Sequence, residues 1–390
     1  MQFAKWTEVA QASVTREILK ITQQPEVISF AGGVPASELF PSEELGHAFE
    51  EALINAQSSL QYTMTEGLLS LRESIAGLMT ERGVSCGADE IALIHGSQQG
   101  LDLVARLFLE SRDLVLVEET TYHGAVLAFN PHGVRFQGVR MDDQGMDVEH
   151  LRKLLQQERP KLIYCTPTFQ NPTSVSLSYQ RRQILAQLAA EFEVPVIEDD
   201  PYYGLQYSGD IQPVVKSFDQ GNQVIYVGSF SKILAPGLRL GWVVARPDLI
   251  SKLNIAQMGS TLHVGTLLQY AVQAYLKTGQ LSKHIETLCN AYRPRRDAML
   301  DALDAVFSDV GRWTHPEGGF FVWVRLAGGF SSTKLLQAAL AEKVAFVPGD
   351  AFYAAGGGKD NCLRLSFSTP TTDEIKEGFE RLSQAAKGLM

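Results

Sequence analysis

A chain of 390 residues suggests two or three domains, or one large core with a smaller appendage, and it can bury a substantial interior. Its 45% apolar and 20% charged residues, with 33 Gly and 16 Pro, exclude a disordered, collagen-like or disulfide-stapled chain. With 34 Lys and Arg against 44 Asp and Glu the net charge is −10, which opposes nonspecific attraction to nucleic acid and to anionic lipid.

The opening MQFAKWTEVAQASVTREILK carries Glu8, Arg16 and Glu17 where an export signal needs a continuous apolar run. No stretch approaches the roughly 18–20 apolar residues of a membrane span. A cytoplasmic protein with no membrane or nucleic-acid partner is expected. The turn-rich FAGGVPASELFP (30–41) lacks alternation and is free to wrap onto either lobe. Leu68, Leu71, Ile75 and Leu78 predict a helix over 67–82, stopped by Gly83.

Short apolar runs then alternate with polar turns: IALI (91–94), LVLV (114–117), LIYC (162–165), PVIE (195–198), VIYV (224–227) and GWVV (241–244). Most are separated by amphipathic segments such as 178–192, which predicts an α/β fold whose mostly parallel sheet is buried on both faces. From about residue 281 the texture changes to a long charged helical stretch, LSKHIETLCNAYRPRRDAMLDALDAVF. After it come GGFFVWVRL, KLLQAALAEK, VAFVP, CLRLSFS and a terminal helix, an α+β lobe. The expected division is an arm and part of the small domain over 1–45, a large domain over 46–285 and a small domain over 286–390.

Cys86, Cys165, Cys289 and Cys362 form no C-x-x-C pair and are expected as buried thiols. The histidines show no H-E-x-x-H spacing, so no metal is expected. Nor is there a G-x-x-x-x-G-K-[ST] loop, or a G-x-G-x-x-G after a strand.

Five segments carry chemistry. In YVGSFSKILAPGLRLGW (226–242) a strand runs into a turn holding Ser229, Ser231 and Lys232, with Arg239 following. A lysine there is either a solvated loop residue or, when desolvated, suited to imine formation, and the hydroxyls with the guanidinium suit a phosphate. In PVIEDDPYYGLQY (195–207) Asp199 lies three residues before Tyr202. The acid can hold a proton on a heteroaromatic nitrogen, and the tyrosine can contact an oxygen on the same ring. HGSQQGLDLVARLFL (95–109) opens a helix at Ser97-Gln98, either an anion site or simple capping by Ser97. IYCTPTFQNPTS (163–174) flanks Asn171 with two prolines, and CLRLSFS (362–368) sets Arg364 in a strand. That arginine is either on an exposed face or paired with a substrate carboxylate. Anion donors, a lysine for an aldehyde, an acid for a ring nitrogen and polar groups for a ring oxygen together describe a site for pyridoxal 5′-phosphate. Strand ends are where open α/β sheets bind ligands.

The order of YTMTEG (62–67), HGSQQ (95–99), TTYHGA (120–125), TPTFQNPTS (166–174), EDDPYYG (198–204), GSFSKILAPGLRLGW (228–242) and LRLSFS (363–368) resembles the fold-type I, class I/II aminotransferases. The resemblance runs from about residue 13 onward. ASVTREIL (12–19) and FAGGVPASELFP are most similar to the 2-aminoadipate and kynurenine aminotransferase branch. It implies a large domain with a mostly parallel seven-stranded sheet, and a homodimer with shared active sites. Lys232 would be the imine-forming lysine and base, and Asp199 the partner of the pyridine nitrogen. Asn171 and Tyr202 would contact the ring hydroxyl oxygen, and Tyr122 would stack on the ring. Ser97, Gln98, Ser229, Ser231 and Arg239 would hold the phosphate, with Tyr62 reaching in from a second subunit. Arg364 would grip the substrate α-carboxylate, and Asn171 would also bind substrate. Gly33 would lie near the substrate, and Ser13 and Arg16 on a segment that shapes specificity. Met64 stands where the branch usually has proline, and Thr120-Thr121-Tyr122 where it usually has Pro-Ser-Tyr.

The implied activity is ping-pong transamination between an L-amino acid of 2-aminoadipate, glutamate, leucine or aromatic type and a 2-oxo acid such as 2-oxoglutarate. Other reactions on the same cofactor, as in a β-lyase, decarboxylase or racemase, share the same residues and stay open here. Ser229-x-x-Lys232 and Lys277-Thr278-Gly279 also spell the S-x-x-K and K-T-G of serine acyl enzymes. In those the serine opens a helix and K-T-G lies on a strand, whereas here Ser229 follows a strand and K-T-G ends a helical run.

Overall fold

The computed structural model describes residues 6–9, 24, 26–54, 56–327 and 329–387. Its central element is a seven-stranded sheet. We number the strands β1 (Ile91–Ile94), β2 (Leu114–Glu118), β3 (Arg135–Val139), β4 (Leu162–Cys165), β5 (Val196–Asp200), β6 (Val224–Ser229) and β7 (Gly241–Val244). The spatial order is β1-β7-β6-β5-β4-β2-β3, parallel except for β7, which runs antiparallel to both its neighbours. Six strands are buried along their whole length, as continuous apolar runs between two helical layers must be. The seventh, β3, was not among the expected runs. It is an edge strand, RFQGV, with Arg135 exposed, so no apolar run marks it.

The helices follow from their apolar spacing and caps. Leu69–Glu81 buries Leu71, Ile75 and Met79 and stops before Gly83, whose φ of +85° suits glycine. Val148–Gln157 begins where Asp147 Oδ1 accepts from the backbone N–H groups of Glu149 and His150, both at 3.0 Å. The segment expected over 178–192 is the helix Tyr179–Glu191.

The second lobe carries a four-stranded antiparallel sheet of β8 (Gly311–Trp313), β9 (Phe321–Leu326), β10 (Val347–Pro348) and β11 (Cys362–Ser366), ordered β8-β9-β11-β10. Helix Leu281–Phe307 leads into it and passes unbroken through residue 285, so the expected boundary falls inside a helix. The 30–41 region is tied to this lobe. Ile28–Ser29 pairs in parallel with Val344–Ala345, and Phe30 donates its N–H to the Ala345 carbonyl at 2.7 Å.

Below β5 sits a buried charged cluster. Arg82 lies over the rings of Tyr203 (4.4 Å) and Trp242 (5.2 Å) and donates to the Tyr226 hydroxyl, which in turn donates to Asp200 Oδ2 at 3.0 Å. Three cysteines are buried as expected, while Cys86 is half-buried.

Candidate active site

Parallel strands deliver their C-terminal ends to one edge of the sheet, and the chain continues from β2 to β3 on one side but to β4 on the other. The crevice at such a reversal collects side chains from several strand ends. Here it is a cavity of about 300 Å³.

β6 ends at Ser229, and the turn after it sets Ser231 and Lys232 on the cavity wall. Ser229 Oγ donates to Ser231 Oγ at 2.9 Å, which holds both hydroxyls on one side of the turn. Lys232 Nζ donates to the Gly33 carbonyl at 2.8 Å. Burial, with the nearby charges of Arg364 and Arg239, pulls the Lys232 ammonium down to about 8. The lysine is thereby an available nucleophile and base near neutral pH.

Asp199, second to last in β5, points into the cavity, and Tyr202 follows from the turn. Burial pushes the Asp199 carboxyl up to about 7, opposed by a hydrogen bond from Tyr164. One carboxylate oxygen, Oδ1, is buried without a partner among the described residues.

At β1 the chain turns through Gly96 into helix Ser97–Phe108. Gly96 is the cap and the Ser97 side chain makes no capping bond, so the capping alternative for Ser97 falls away. Gly96 has φ +75°, and a Cβ there would stand 2.8 Å from Arg239 Nη2. Only glycine gives both the backbone angle and room for that guanidinium. Arg239 itself has φ +48° and donates to the His95 carbonyl at 3.2 Å, which lays it across the helix start. Unpaired helix N–H groups, two hydroxyls and a guanidinium thus surround one corner of the cavity. Gln98 Nε2 donates to the Gly124 carbonyl at 2.7 Å and so anchors the helix that Tyr122 precedes.

The turn after β4 carries Asn171 in a fully buried loop. Gln170 holds it, with Nε2 donating to Glu118 Oε2 at 3.1 Å and Oε1 accepting from the Thr173 N–H and hydroxyl at 2.9 and 2.6 Å. Arg364 of β11 is buried, which removes the exposed-face alternative. It donates through Nη1 to Asn171 Oδ1 at 2.8 Å and through Nη2 to the Ala31 carbonyl at 2.6 Å, over the Phe321 ring at 4.1 Å. Its Nε is buried and unpartnered among the described residues. Burial pulls its pKa down to about 10, still a cation at neutral pH.

The cavity therefore gathers every expected site residue except three. Tyr62 is 77% exposed and lies outside it in its own chain. Ser13 and Arg16 lie outside the described residues. Val34, Thr166, Pro201 and Pro236 also line the wall and were not expected. Turn prolines and a strand-end threonine carry no chemical signature that sequence reading would single out. The residues present fit pyridoxal phosphate: a buried acid with one unpartnered oxygen, a lysine whose pKa is brought down to about 8, and an anion corner that a side chain at position 96 would fill.

Comparison with known proteins agrees with the geometry. Residues 25–382 match the family described as "Aminotransferase class I and II". The aromatic-amino-acid aminotransferase 1 of Thermococcus litoralis is 41% identical over 387 residues, covering 97% of this chain and 93% of the relative. The 2-aminoadipate transaminase of Thermus thermophilus is 42% identical over 394 residues, covering 100% and 97%. The crystal structure of Pyrococcus horikoshii kynurenine aminotransferase, in complex with PMP, is similar with a TM-score of 0.94 and 41% identity, covering 99% of this chain and 97% of that one.

Proposed function

Because this chain belongs to the class I and II aminotransferases and is a pyridoxal-phosphate-dependent transaminase, we propose that Lys232, Asp199 and Arg364 carry its reaction. The donor is an L-amino acid of the 2-aminoadipate, glutamate, leucine or aromatic type, and the acceptor a 2-oxo acid such as 2-oxoglutarate. The observation that carries the reading is the meeting of these three residues, from β6, β5 and β11, on one cavity. The relatives' names, which speak of aromatic amino acids, 2-aminoadipate and kynurenine, support the donor range.

When bound, pyridoxal phosphate supplies an aldehyde for attachment to an amine and a ring that accepts the electron pair left at the substrate Cα. The protein's part is positioning, charge and proton movement. Ser97, Gln98, Ser229, Ser231 and Arg239 would hold the phosphate, and Gln98 also anchors the helix that Tyr122 precedes. Tyr122 would lie against the ring, and Asn171 and Tyr202 would contact the ring oxygen. Asp199 Oδ1 keeps a proton on the ring nitrogen, which favours the ring as an electron acceptor. Lys232 Nζ would hold the cofactor's aldehyde carbon and, as a free amine, would take the proton from the substrate Cα. Arg364 receives the α-carboxylate that every donor and acceptor shares, near Gly33, and so aligns Cα with the lysine.

A homodimer with shared sites belongs to this reading. Tyr62 lies outside its own cavity and is exposed, as are Leu53, Ile54, Leu60 and Met64 close to it in the chain, apolar side chains suited to a partner subunit. Among the described residues no helix is long and apolar enough to cross a membrane. A cytoplasmic setting is also part of the reading, supported by free rather than disulfide-bonded cysteines.

The test is the visible spectrum of the holoenzyme during titration with L-amino acids and no oxo acid. Conversion to the aminated cofactor is expected, fastest for the preferred donor class. Transient change without accumulation of aminated cofactor, or release of ammonia without an acceptor, would overturn transamination in favour of a lyase, decarboxylase or racemase.

A further inference from the structure

Tyr164 lies beside Asp199, and the mechanism above leaves it unused. On β4 it is paired in register with Ile197 of β5, so Tyr164 and Asp199, two residues further on, face the same side of the sheet. The phenol is wholly buried, its ring edge-on to Phe129 at 5.9 Å and 76°, which fixes its direction. Its hydroxyl donates to Asp199 Oδ2 at 2.8 Å and lies 3.3 Å from Thr166 Oγ1. A phenol has one proton to give, so with that proton on Asp199 the Thr166 hydroxyl is the donor toward Tyr164. The other carboxylate oxygen, Oδ1, is buried and unpartnered, on a residue that lines the cavity.

We propose that Tyr164 is a positioning residue that clamps Asp199 through Oδ2, presents Oδ1 alone to the cavity, and holds the carboxyl in its ionised form. The inference rests on the reading of Asp199 as the partner of the ring nitrogen. A carboxyl turns easily about its last torsion, and a single rigid donor removes that freedom. A phenolic O–H also favours the charged state of the acid that accepts from it. That matters because burial and the neighbouring acid work the other way. Burial pushes it up, and so does the charge of Asp200 on the same strand. Glu118 at the end of β2, Tyr122 after β2, Cys165 on β4 and Tyr202 after β5 also face it, and its charge raises the pKa of each of them. The Tyr164 hydrogen bond opposes this pressure, and the balance leaves the carboxyl at about 7.

Tyr164→Phe keeps the ring and its contact with Phe129 and removes only the hydroxyl. Infrared difference spectra of the apoenzyme, with Asp199→Asn identifying the carboxyl band, are expected to move the Asp199 titration up by roughly one to two pH units, the size of a hydrogen bond to a charged group. A 3-fluorotyrosine placed at position 164 is the stronger donor and is expected to move the titration down. A side chain that only filled space would produce neither shift, and an unchanged titration in both proteins overturns the clamp. The dissociation constant of pyridoxal phosphate, read from tryptophan fluorescence of the apoenzyme at pH 7, is expected to rise about tenfold in Tyr164→Phe. An unchanged constant overturns the presentation of Oδ1. Failure of the wild-type apoenzyme to bind pyridoxal phosphate would instead overturn the cofactor reading, and the infrared titration, which needs no cofactor, still decides the clamp.

Discussion

Arg364 Nη1 and Asn171 Oδ1 meet at 2.8 Å, so a strand of the small lobe and a buried turn of the large sheet hold one another at the cavity wall. The contact aims a guanidinium whose Nε has no other partner among the described residues. Removing the guanidinium in Arg364→Ala should weaken amino-acid and oxo-acid substrates alike, because both carry the α-carboxylate. The loss of a charge-assisted bidentate contact is about 2–4 kcal/mol, or a fall of roughly 30- to 1,000-fold in kcat/KM. Steady-state kinetics for both half-reactions checks this, and an unchanged KM for both partners would sink the role.

Lys232→Ala should lower turnover by at least about 10⁴-fold, the upper range for loss of a general base alone. The wild-type lysine carries its own pH signature. Its pKa lies near 8, below the ordinary lysine value, so the neutral amine forms as the pH rises through 8. Reaction of the apoenzyme with trinitrobenzenesulfonate should therefore speed up with pH and level off above about 8. In Arg364→Met the plateau should move to higher pH, since burial and then the Arg364 charge hold the pKa down.

Gly96→Ala forces a left-handed backbone angle on alanine and drives a methyl toward Arg239. Affinity for pyridoxal phosphate should fall about tenfold, the equivalent of one displaced hydrogen bond to a charged group. Strain at the turn should cost about 1 kcal/mol of stability. Fluorescence titration of the apoenzyme and calorimetry read the two effects separately.

Arg82→Ala tests the cluster beneath β5. It leaves Asp200 without one of the two arginines that offset its burial, at a cost of about 3 kcal/mol. Burial already raises the Asp200 pKa, and loss of Arg82 raises it further. The variant's deficit should be full at high pH and shrink as the pH falls and Asp200 takes up a proton, which calorimetric melting across pH will show.

Arg16→Ala addresses donor choice. Arg16 lies outside the described residues, and the expected role is contact with an acidic donor side chain. kcat/KM should drop for 2-aminoadipate and glutamate while leucine and aromatic donors are spared. An equal change for both classes would refute it.

Most of the large sheet was legible because β1, β2, β4, β6 and β7 are buried on both faces and so read as apolar runs, and β5 opens as one before its acids. β3 was not, since an edge strand needs apolar residues on only part of its surface. The site was legible in its first layer for a related reason. Its residues stand at strand ends, beside turns whose Gly, Pro and small polar residues are conspicuous. Contacts that depend on register are invisible in one dimension. Nothing in LIYC says that Tyr164 will stand against Asp199 of the next strand, or that Arg82 will reach Tyr226 across 144 positions. For Arg364 the sequence left burial and exposure equally open, and the packing of Phe321 against its guanidinium is what hides it.

The single antiparallel strand has a further consequence. Since β7 returns alongside β6, the stretch from Ser229 to Arg239 is one continuous excursion that leaves the sheet and comes back to it, carrying the lysine, both serines and the arginine. The lysine and three of the groups at the anion corner thus travel as one contiguous cassette, while Ser97, Asp199 and Asn171 come from elsewhere in the chain. The carboxylate clamp is assembled from Ala31, Asn171 and Arg364, which lie far apart in the chain. Substrate choice can be retuned by altering any one of those distant stretches while the cassette stays constant.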